Sequence, residues 1–208
     1  AGNPFLVPAT AWQFDASIEW YFDTVGSITL NGFYKTIDNF FYQQISEREL
    51  TNNGVTQSVK VRGPANYEES GKIKGFEVAY QQTYDFLPGP FDGLGVQANY
   101  TFIQSEGLPN TFLNTGAPVD ESTIPPGNLP LEQLSKHNVN LTGFYEKGPI
   151  SLRAAYSWRS RFLLTAADVI FPYYSIFNEP TGQLDASVFF NLGSAMGLPG
   201  DLRVGVQG

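Results

Sequence analysis

The chain of 208 residues has no cysteine and only one histidine, His137. The lack of cysteine excludes a disulfide framework and a cysteine-based zinc site, while it leaves the cellular compartment open. Charged residues are also scarce, at 15% of the sequence against about 25% in ordinary soluble domains. Because 20 acidic residues outnumber 12 basic ones, the net charge of -8 argues against a surface that binds nucleic-acid phosphates.

Long apolar runs are missing as well. No stretch approaches the ~18 residues that a membrane-spanning helix requires, and the first residues lack the charged and apolar regions of a signal peptide. If the protein is exported, we therefore expect this to be mature or excerpted sequence. Aromatic residues, by contrast, make up 15% of the chain, and this content with so few charges excludes both a disordered chain and a solvent-exposed helical bundle.

Apolar and polar residues alternate along the chain with a period of two. In residues 11–22 the even positions, from Trp12 to Phe22, are apolar, while polar side chains from Gln13 to Glu19 separate them. Only a β-strand with two dissimilar faces produces this period. The same alternation recurs near residues 28–34, 76–86, 94–102, 138–145, 150–159, 183–190 and 202–207. The pattern predicts about eight strands and no convincing helix.

The connections between the predicted strands are of two kinds. Residues 38–71, 106–135 and 162–182 form connections much longer than a compact domain usually carries. The intervening connections, such as residues 23–27, are short and rich in turn-forming glycine, proline and aspartate. Short turns at one end and long loops at the other are typical of a bacterial outer-membrane barrel, whose turns are periplasmic and whose long loops are extracellular.

Strand length supports the same interpretation. An apolar band of ~25 Å crossed at a tilt of ~35–45° needs about ten residues per strand, and residues 11–22, 73–86 and 94–105 are long enough. We therefore predict an all-β fold, an antiparallel transmembrane β-barrel with its apolar face toward lipid and its polar face toward a wet lumen. A β-sandwich would also show alternation, but long strands with one wet face disfavour it.

Two Asn-Gly pairs lead to different predictions. A turn at Asn31-Gly32 would leave a strand of only about three residues before it, so this pair is predicted to lie inside a strand, with Gly32 facing lipid. Asn53-Gly54 is predicted to be a true turn, between residues 43–50 and 55–61. The strands on either side of that turn either extend barrel strands above the membrane or form a hairpin within the loop.

Several short stretches, in their order and spacing, resemble the C-terminal barrel of TonB-dependent outer-membrane receptors. They include Glu19-Trp20-Tyr21-Phe22 and Asn99-Tyr100-Thr101-Phe102, and the others are residues 2–8, 33–40, 64–66, 71–77, 134–138, 144–148 and 182–187. The resemblance covers nearly the whole chain. It implies a barrel of about 22 strands around an N-terminal plug domain. Residues 1–208 are accordingly expected to be a partial barrel that lacks the plug, the TonB box and the closing strands.

The resemblance also implies a function, which is uptake of a scarce nutrient across the outer membrane. The energy would come from the TonB–ExbB–ExbD complex acting on the missing plug domain. A carbohydrate is the favoured ligand, with a siderophore or cobalamin as alternatives. Outer-membrane lipid and lipopolysaccharide are expected partners, and a surface lipoprotein is a further candidate. Nucleic acid is not an expected partner, and no cofactor, metal or catalytic residue is predicted.

Ligand binding is expected at the outer loops and in the upper lumen. Aromatic rings there can stack on sugar rings, while amides and carboxylates hydrogen-bond hydroxyl groups. The candidate residues are Asn66, Tyr67, Glu68, Phe112, Arg159, Arg161, Tyr173 and Tyr174. The alternative is that the tyrosines only pack the loops and that the arginines pair with lumenal carboxylates such as Glu77 or Asp185.

Two other classes of function are alternatives to the receptor. A free-standing small barrel could act as a passive pore, an adhesin or a structural protein, because about eight strands can close around their own side chains. A surface hydrolase would use Ser135 and His137 as nucleophile and base, but no third group that orients the base is evident. The sequence therefore predicts that the chain is not an enzyme.

Overall fold

A computed structural model of the chain describes residues 2–110, 129–166, 174–197 and 202–208. The largest unit is an eight-stranded antiparallel sheet, which confirms the predicted strand number. In order across the sheet, its strands are β1 (Thr10–Asp23), β2 (Gly26–Asp38), β5 (Gly71–Thr83), β6 (Leu94–Glu106), β7 (His137–Lys147), β8 (Ile150–Arg159), β11 (Thr181–Asn191) and β12 (Arg203–Gln207). We call the end of the sheet where β2, β6 and β8 finish the outer end.

Two small hairpins lie in long connections at the outer end. They are formed by β3 (Phe41–Asn52) with β4 (Val55–Asn66), and by β9 (Phe162–Thr165) with β10 (Ile176–Asn178). The β3–β4 hairpin turns at Asn53 and Gly54, whose φ angles are 51° and 78°. A type I′ turn needs positive φ at both positions, and Asn-Gly accepts this at low cost. The predicted turn is confirmed, and the hairpin is a separate sheet within the loop.

Among the described residues, helical structure occurs only in the short connections at the opposite end. A single 3-10 turn spans Phe91–Gly93, and a five-residue helix, α1, spans Leu192–Met196 between β11 and β12. This short helix differs from the prediction that the chain contains no convincing helix. The Leu192 amide donates to the Leu202 carbonyl oxygen at 2.7 Å, which closes the connection. Within the described ranges, no helix is long and apolar enough to cross a membrane.

The strand register collects apolar side chains on one face of the sheet. Ile18 lies beside Leu30, Leu30 beside Val78, and Val78 beside Tyr100. Residues paired in register point to the same side, so these form a continuous apolar row. The side chains of this row are not covered by a second layer, since Ile18 is 68% and Leu30 43% exposed. An exposed apolar face of this breadth fits contact with lipid, and Gly32 lies in the same face inside β2, as predicted.

The opposite face of the same strands is polar. One row across it contains Ser17, Asn31, Glu77 and Thr101, on β1, β2, β5 and β6. The Ser17 hydroxyl donates to Asn31 Oδ1 at 2.6 Å, and the Thr101 hydroxyl donates to Glu77 Oε1 at 3.3 Å. These bonds between neighbouring strands satisfy polar groups on this face of the sheet. The predicted division of each strand into an apolar and a polar side is therefore confirmed.

Buried side chains lie at the outer end and not in the sheet. Among the described residues, Leu163 is 0%, Ala166 2% and Leu108 4% exposed, and all three belong to the outer connections. A single-layered sheet leaves both of its faces open, whereas connections that fold over one another can enclose a side chain. The only polar residue buried to this degree in the described part is Ser135, in the connection before β7. The packed outer end is therefore the part that can position a binding site.

Candidate functional site

The predicted ligand-binding residues that the structure describes all lie at the outer end. Asn66 ends β4, and Tyr67 and Glu68 follow it toward β5. Arg159 ends β8, Arg161 precedes β9, and Tyr174 precedes β10. Phe112 and Tyr173 lie outside the described residues. The structure thus divides the candidates into one group beside the β3–β4 hairpin and a second beside the β9–β10 hairpin.

Asn66 fastens the N-terminal segment to the β3–β4 hairpin. Its side-chain amide donates to the carbonyl oxygens of Val7 and Asn39, at 2.8 and 2.9 Å. Its Oδ1 accepts a hydrogen bond from the Val7 amide at 2.9 Å. Nearby, the side-chain amide of Asn3 donates to the Pro64 carbonyl oxygen at 3.0 Å. Both amide hydrogens of Asn66 are thereby used within the chain, where they hold the N-terminal segment against the hairpin.

Tyr67 packs against the same hairpin. Its ring meets that of Tyr42 edge-on, with centroids 5.7 Å apart and an interplanar angle of 84°. Burial is the main factor that raises the pKa of Tyr42, and the negative charge of the exposed Glu68 adds to it. Burial also raises the pKa of Tyr67, assisted by the charge of Glu69 and a hydrogen bond of 3.4 Å to its carboxylate. This packing corresponds to the alternative in which the tyrosines stabilise the loops.

Tyr67 also borders a cavity of about 650 Å³ near the end of β6. Its wall includes the side chains of Glu69, Glu106 and Lys136. Glu106 pairs with Lys74 at 3.0 Å, and the Lys136 ammonium lies 5.3 Å from the centre of the Phe102 ring. Charges of both signs therefore face this cavity, and it does not favour a ligand of one charge.

Arg159 is held in place by a buried hydroxyl and an aromatic ring. Its Nε donates to Ser135 Oγ at 3.0 Å, and the Ser135 hydroxyl donates to the Ser160 carbonyl oxygen at 3.1 Å. The guanidinium carbon lies 3.9 Å from the centroid of the buried Phe162 ring. None of the ion pairs between described residues includes Arg159. The alternative of a pair with Glu77 or Asp185 is thus not observed.

Arg161 has a different environment, although it is only two residues away. Its Nε lies 3.4 Å from Glu179 Oε1, and the two side chains are 56% and 77% exposed. The guanidinium also lies 4.2 Å from the centroid of the Phe177 ring. The charge of Arg161 is therefore neutralised at the surface of the β9–β10 hairpin. Tyr174, also near that hairpin, is 74% exposed.

Arg159 borders a second cavity, of about 370 Å³, on the polar face of the sheet. We call it the upper-lumen pocket, and its polar lining consists of Asn138, Asn140, Ser157, Arg159, Thr181 and Gln183. The sequence singled out only Arg159, because the pocket depends on the register between β7, β8 and β11. The alternating polar positions, such as Asn138 and Asn140, were the signal available for its other members.

The geometry does not support a hydrolase. Ser135 Oγ is engaged by Arg159 and Ser160, while His137 Nδ1 lies 2.8 Å from the Tyr100 hydroxyl. His137 pairs in register with Phe102, on the apolar face. Nucleophile and base are thus not hydrogen-bonded to each other, as such a pair requires. The described ranges also contain no group of three or more His, Cys, Asp or Glu residues that could hold a metal ion.

Comparison with known proteins gives a family for the chain. The family described as "TonB dependent receptor-like, beta-barrel" matches residues 1–207. No curated protein matches the sequence. The family comprises outer-membrane receptors and not enzymes, so the predictions of the outer membrane as location and of a non-enzyme are confirmed.

Solved structures share the fold at low sequence identity. The siderophore receptor PirA from Acinetobacter baumannii has a TM-score of 0.59 and 14% identity, over 97% of this chain and 28% of PirA. The ferric enterobactin receptor PfeA from Pseudomonas aeruginosa has a TM-score of 0.60 and 15% identity, over 96% of this chain and 25% of PfeA. The copper transporter OprC has a TM-score of 0.55 and 14% identity, over 91% and 25%.

The chain spans about a quarter of the length of these structures. At such identities the likeness concerns the fold alone, and it agrees with the two-faced antiparallel sheet, the short turns and the long outer connections. The match over residues 1–207 covers nearly every residue. The chain therefore belongs to the TonB-dependent receptor β-barrel family.

Proposed function

We propose that the chain is part of an outer-membrane receptor that takes up a small-molecule ligand with energy delivered through TonB. The observation that carries this proposal is the uneven distribution of packing. The wall has one apolar and one polar face, whereas the buried side chains found among the described residues, such as Leu163, lie at the outer end. A wall of this kind encloses a wet passage, and a packed outer end can hold binding groups at fixed positions.

The partial barrel predicted from the sequence is also part of the proposal. The pairings among the described residues leave β1 and β12 at the two edges of the sheet. Exposed edge groups are unfavourable in lipid, where no water satisfies them. We propose that further strands of the same barrel pair with these edges and that a plug domain, bearing the TonB box, fills the lumen. TonB–ExbB–ExbD would act on that plug.

The ligand class is a hypothesis, and its two main candidates are a carbohydrate and a siderophore. The sequence favoured a carbohydrate, but PirA is named for a siderophore, PfeA for ferric enterobactin and OprC for copper, and none of these names supports a carbohydrate. Cobalamin is the third candidate. Outer-membrane lipid and lipopolysaccharide are proposed to contact the apolar face, and co-purification would identify a surface lipoprotein.

The free-standing small barrel has less support. It would need β1 to pair with β12, and the strand pairings of the described ranges include no such ladder. The family match favours the receptor instead.

Uptake by intact cells tests the proposed function. The full-length gene is expressed as the sole receptor of its type, in cells with and without functional TonB. Accumulation of labelled ferric enterobactin, maltohexaose and cyanocobalamin is then measured. We expect at least one of them to accumulate only in cells with functional TonB. Equal accumulation without TonB would indicate a passive pore, and accumulation of none would also contradict the proposal.

A further inference from the structure

We propose that the upper-lumen pocket binds a carboxylate group of the transported ligand, with Arg159 as the ion-pairing residue. This inference rests on the proposed function, because it assigns a ligand chemistry to a site inside the proposed passage. It differs from the carbohydrate predicted from the sequence, which would need no fixed positive charge.

The register of β7, β8 and β11 builds the pocket. Asn138 pairs with Arg159, and Arg159 pairs with Thr181, so these three residues form one row across the polar face. Asn140, Ser157 and Gln183 form the next row in the same way. Neighbouring strands lie about 4.8 Å apart, and rows on one face lie about 7 Å apart. The six side chains therefore line one side of a space of about 370 Å³, which is large enough for a small-molecule ligand that carries a carboxylate.

Arg159 is oriented before any ligand arrives. Its Nε is bound to Ser135 Oγ at 3.0 Å, and its guanidinium plane is supported by the Phe162 ring at 3.9 Å. Among the described residues this Nε bond is its only side-chain hydrogen bond, so its terminal Nη groups keep their donors for a ligand. A side chain fixed in this way loses little conformational freedom when it binds.

The charge of Arg159 favours an anion over a neutral group. The guanidinium is always protonated, and no carboxylate in the described ranges lies within ion-pairing distance of it. A carboxylate can accept two parallel N–H bonds from the guanidinium fork, which a sugar hydroxyl cannot match. The amide groups of Asn138 and Asn140 and the hydroxyls of Ser157 and Thr181 provide further hydrogen-bonding groups around the same space.

Asp185 limits where the anion can bind. It lies two residues beyond Gln183 on the same face, and its Oδ1 accepts a hydrogen bond from Gln183 Nε2 at 2.9 Å. Its negative charge repels an anion from the deeper side of the pocket. The carboxylate is therefore expected at the Arg159 end, near the outer rim.

A matched pair of probes tests the inference. Binding of citrate and of its uncharged trimethyl ester to the full-length purified receptor is measured by titration calorimetry at low ionic strength. We expect saturable binding of citrate and at least tenfold weaker binding of the ester. Arg159→Gln should weaken citrate binding at least about tenfold, and Arg159→Lys should weaken it less, because lysine keeps the charge and loses the fork.

Three further variants keep the test decisive. Arg48→Gln should leave the citrate affinity within about twofold, because Arg48 is exposed on β3 and does not line the upper-lumen pocket. Asp185→Asn should strengthen citrate binding a few-fold by removing repulsion. Asn140→Ala reaches the pocket without touching the Ser135 and Phe162 contacts, and should weaken citrate binding several-fold even if Arg159→Gln fails to fold.

Absence of saturable citrate binding, equal affinity for the ester, or an unchanged affinity in Arg159→Gln or Asn140→Ala would overturn the inference. The outcome is separable from that of the proposed function. If uptake depends on TonB but the citrate affinity does not change when Arg159 is replaced, the inference about the pocket is wrong and the proposed function stands. If citrate binding depends on Arg159 but no ligand is taken up in a TonB-dependent way, the proposed function is wrong and the inference about the pocket stands.

Discussion

The guanidinium of Arg159 stacks on the ring of Phe162, with 3.9 Å between the guanidinium carbon and the ring centroid. Phe162 is only 7% exposed and begins the β9–β10 hairpin, whereas Arg159 ends a strand of the wall. The contact therefore joins the hairpin to the wall. It also makes the position of a charged group depend on the packing of a loop.

Replacement of that ring should loosen the hairpin. Phe162→Leu keeps an apolar side chain but removes the cation–π contact, which contributes roughly 0.5–2 kcal/mol. We expect faster amide hydrogen exchange in β9 and no change in β1, far across the sheet. Phe177→Leu is the matched control, since it removes the corresponding contact with Arg161 at the surface and should change β9 exchange less. Equal exchange in wild type and Phe162→Leu would contradict the role of this contact.

Asn66 should control the order of the N-terminal segment. Asn66→Ala removes the bonds to Val7 and Asn39, and we expect the local opening free energy at Val7 to fall by about 1–3 kcal/mol. Hydrogen exchange at the Val7 amide measures it. Asn66→Asp keeps an acceptor for that amide and should protect it partly. Asn52→Ala, at the exposed tip of the same hairpin, serves as the control and should leave Val7 exchange unchanged.

The tyrosines of the β3–β4 hairpin should give it alkaline sensitivity. Because the folded state raises the pKa of Tyr42 and Tyr67 above the ordinary value of about 10, it favours the neutral phenols. Their contribution to stability is complete below pH ~10 and is lost as pH rises through the raised folded values. Phenolate absorbance, compared among wild type, Tyr42→Phe and Tyr67→Phe, should show both groups titrating above pH ~10. Midpoints at or below that value would disprove the expectation.

Two glycine substitutions should distinguish a glycine in a turn, Gly54, from a glycine inside a strand, Gly32. Gly54 has a φ of 78°, so Gly54→Ala places a side chain in the left-handed region and should destabilise the hairpin tip by about 1 kcal/mol. Gly32 lies inside β2 with nothing within 4 Å of an added Cβ and no left-handed φ, so Gly32→Ala should be neutral or slightly stabilising. Hydrogen exchange in β3 and β2 provides the comparison. A larger loss from Gly32→Ala than from Gly54→Ala would be inconsistent with this assignment.

Charged substitutions on neighbouring residues should distinguish the two faces of the wall. Leu141 lies on the apolar face and is 46% exposed, whereas Thr142 points to the polar face. Leu141→Arg should destabilise the full-length barrel by about 2–4 kcal/mol if it lies near the membrane midplane, and Thr142→Arg by much less. Denaturant unfolding in lipid vesicles measures both. Similar losses for the two variants would argue against lipid on the Leu141 face.

The strands of the wall could be predicted because the pattern that indicates a strand involves only neighbouring residues. Apolar and polar residues alternate with a period of two, as from Trp12 to Phe22. This alternation can be recognised in consecutive residues without knowing which strands pair with them. The turn at Asn53-Gly54 was likewise predictable from the φ values that two residues accept. Strand ends were less accurate. The segment predicted to end at Phe86 leaves the ladder at Thr83, as the chain turns toward Pro88 and Pro90, which have no amide to donate.

The candidate site was less predictable because its contacts join distant parts of the chain. Arg159 was chosen for its location, but its anchor, Ser135, is 24 residues away, and that distance along the chain gives no pairing signal. Asn66 and Tyr67 were placed correctly at the outer end, yet their side chains bind Val7 and pack on Tyr42. Which polar residue faces a ligand and which one fastens a loop is decided by tertiary packing.

The confinement of buried side chains to the outer end has a consequence for how such a protein can diverge. Positions in the wall must keep only their polarity, so many residues of similar hydrophobicity can replace one another there. Positions around Leu163, which is 0% exposed, must also keep their shape, because a closely packed site is sensitive to a single methylene. New binding properties would then arise when whole loop clusters are exchanged together with the side chains buried inside them. Residues of the wall could be substituted independently of these exchanges.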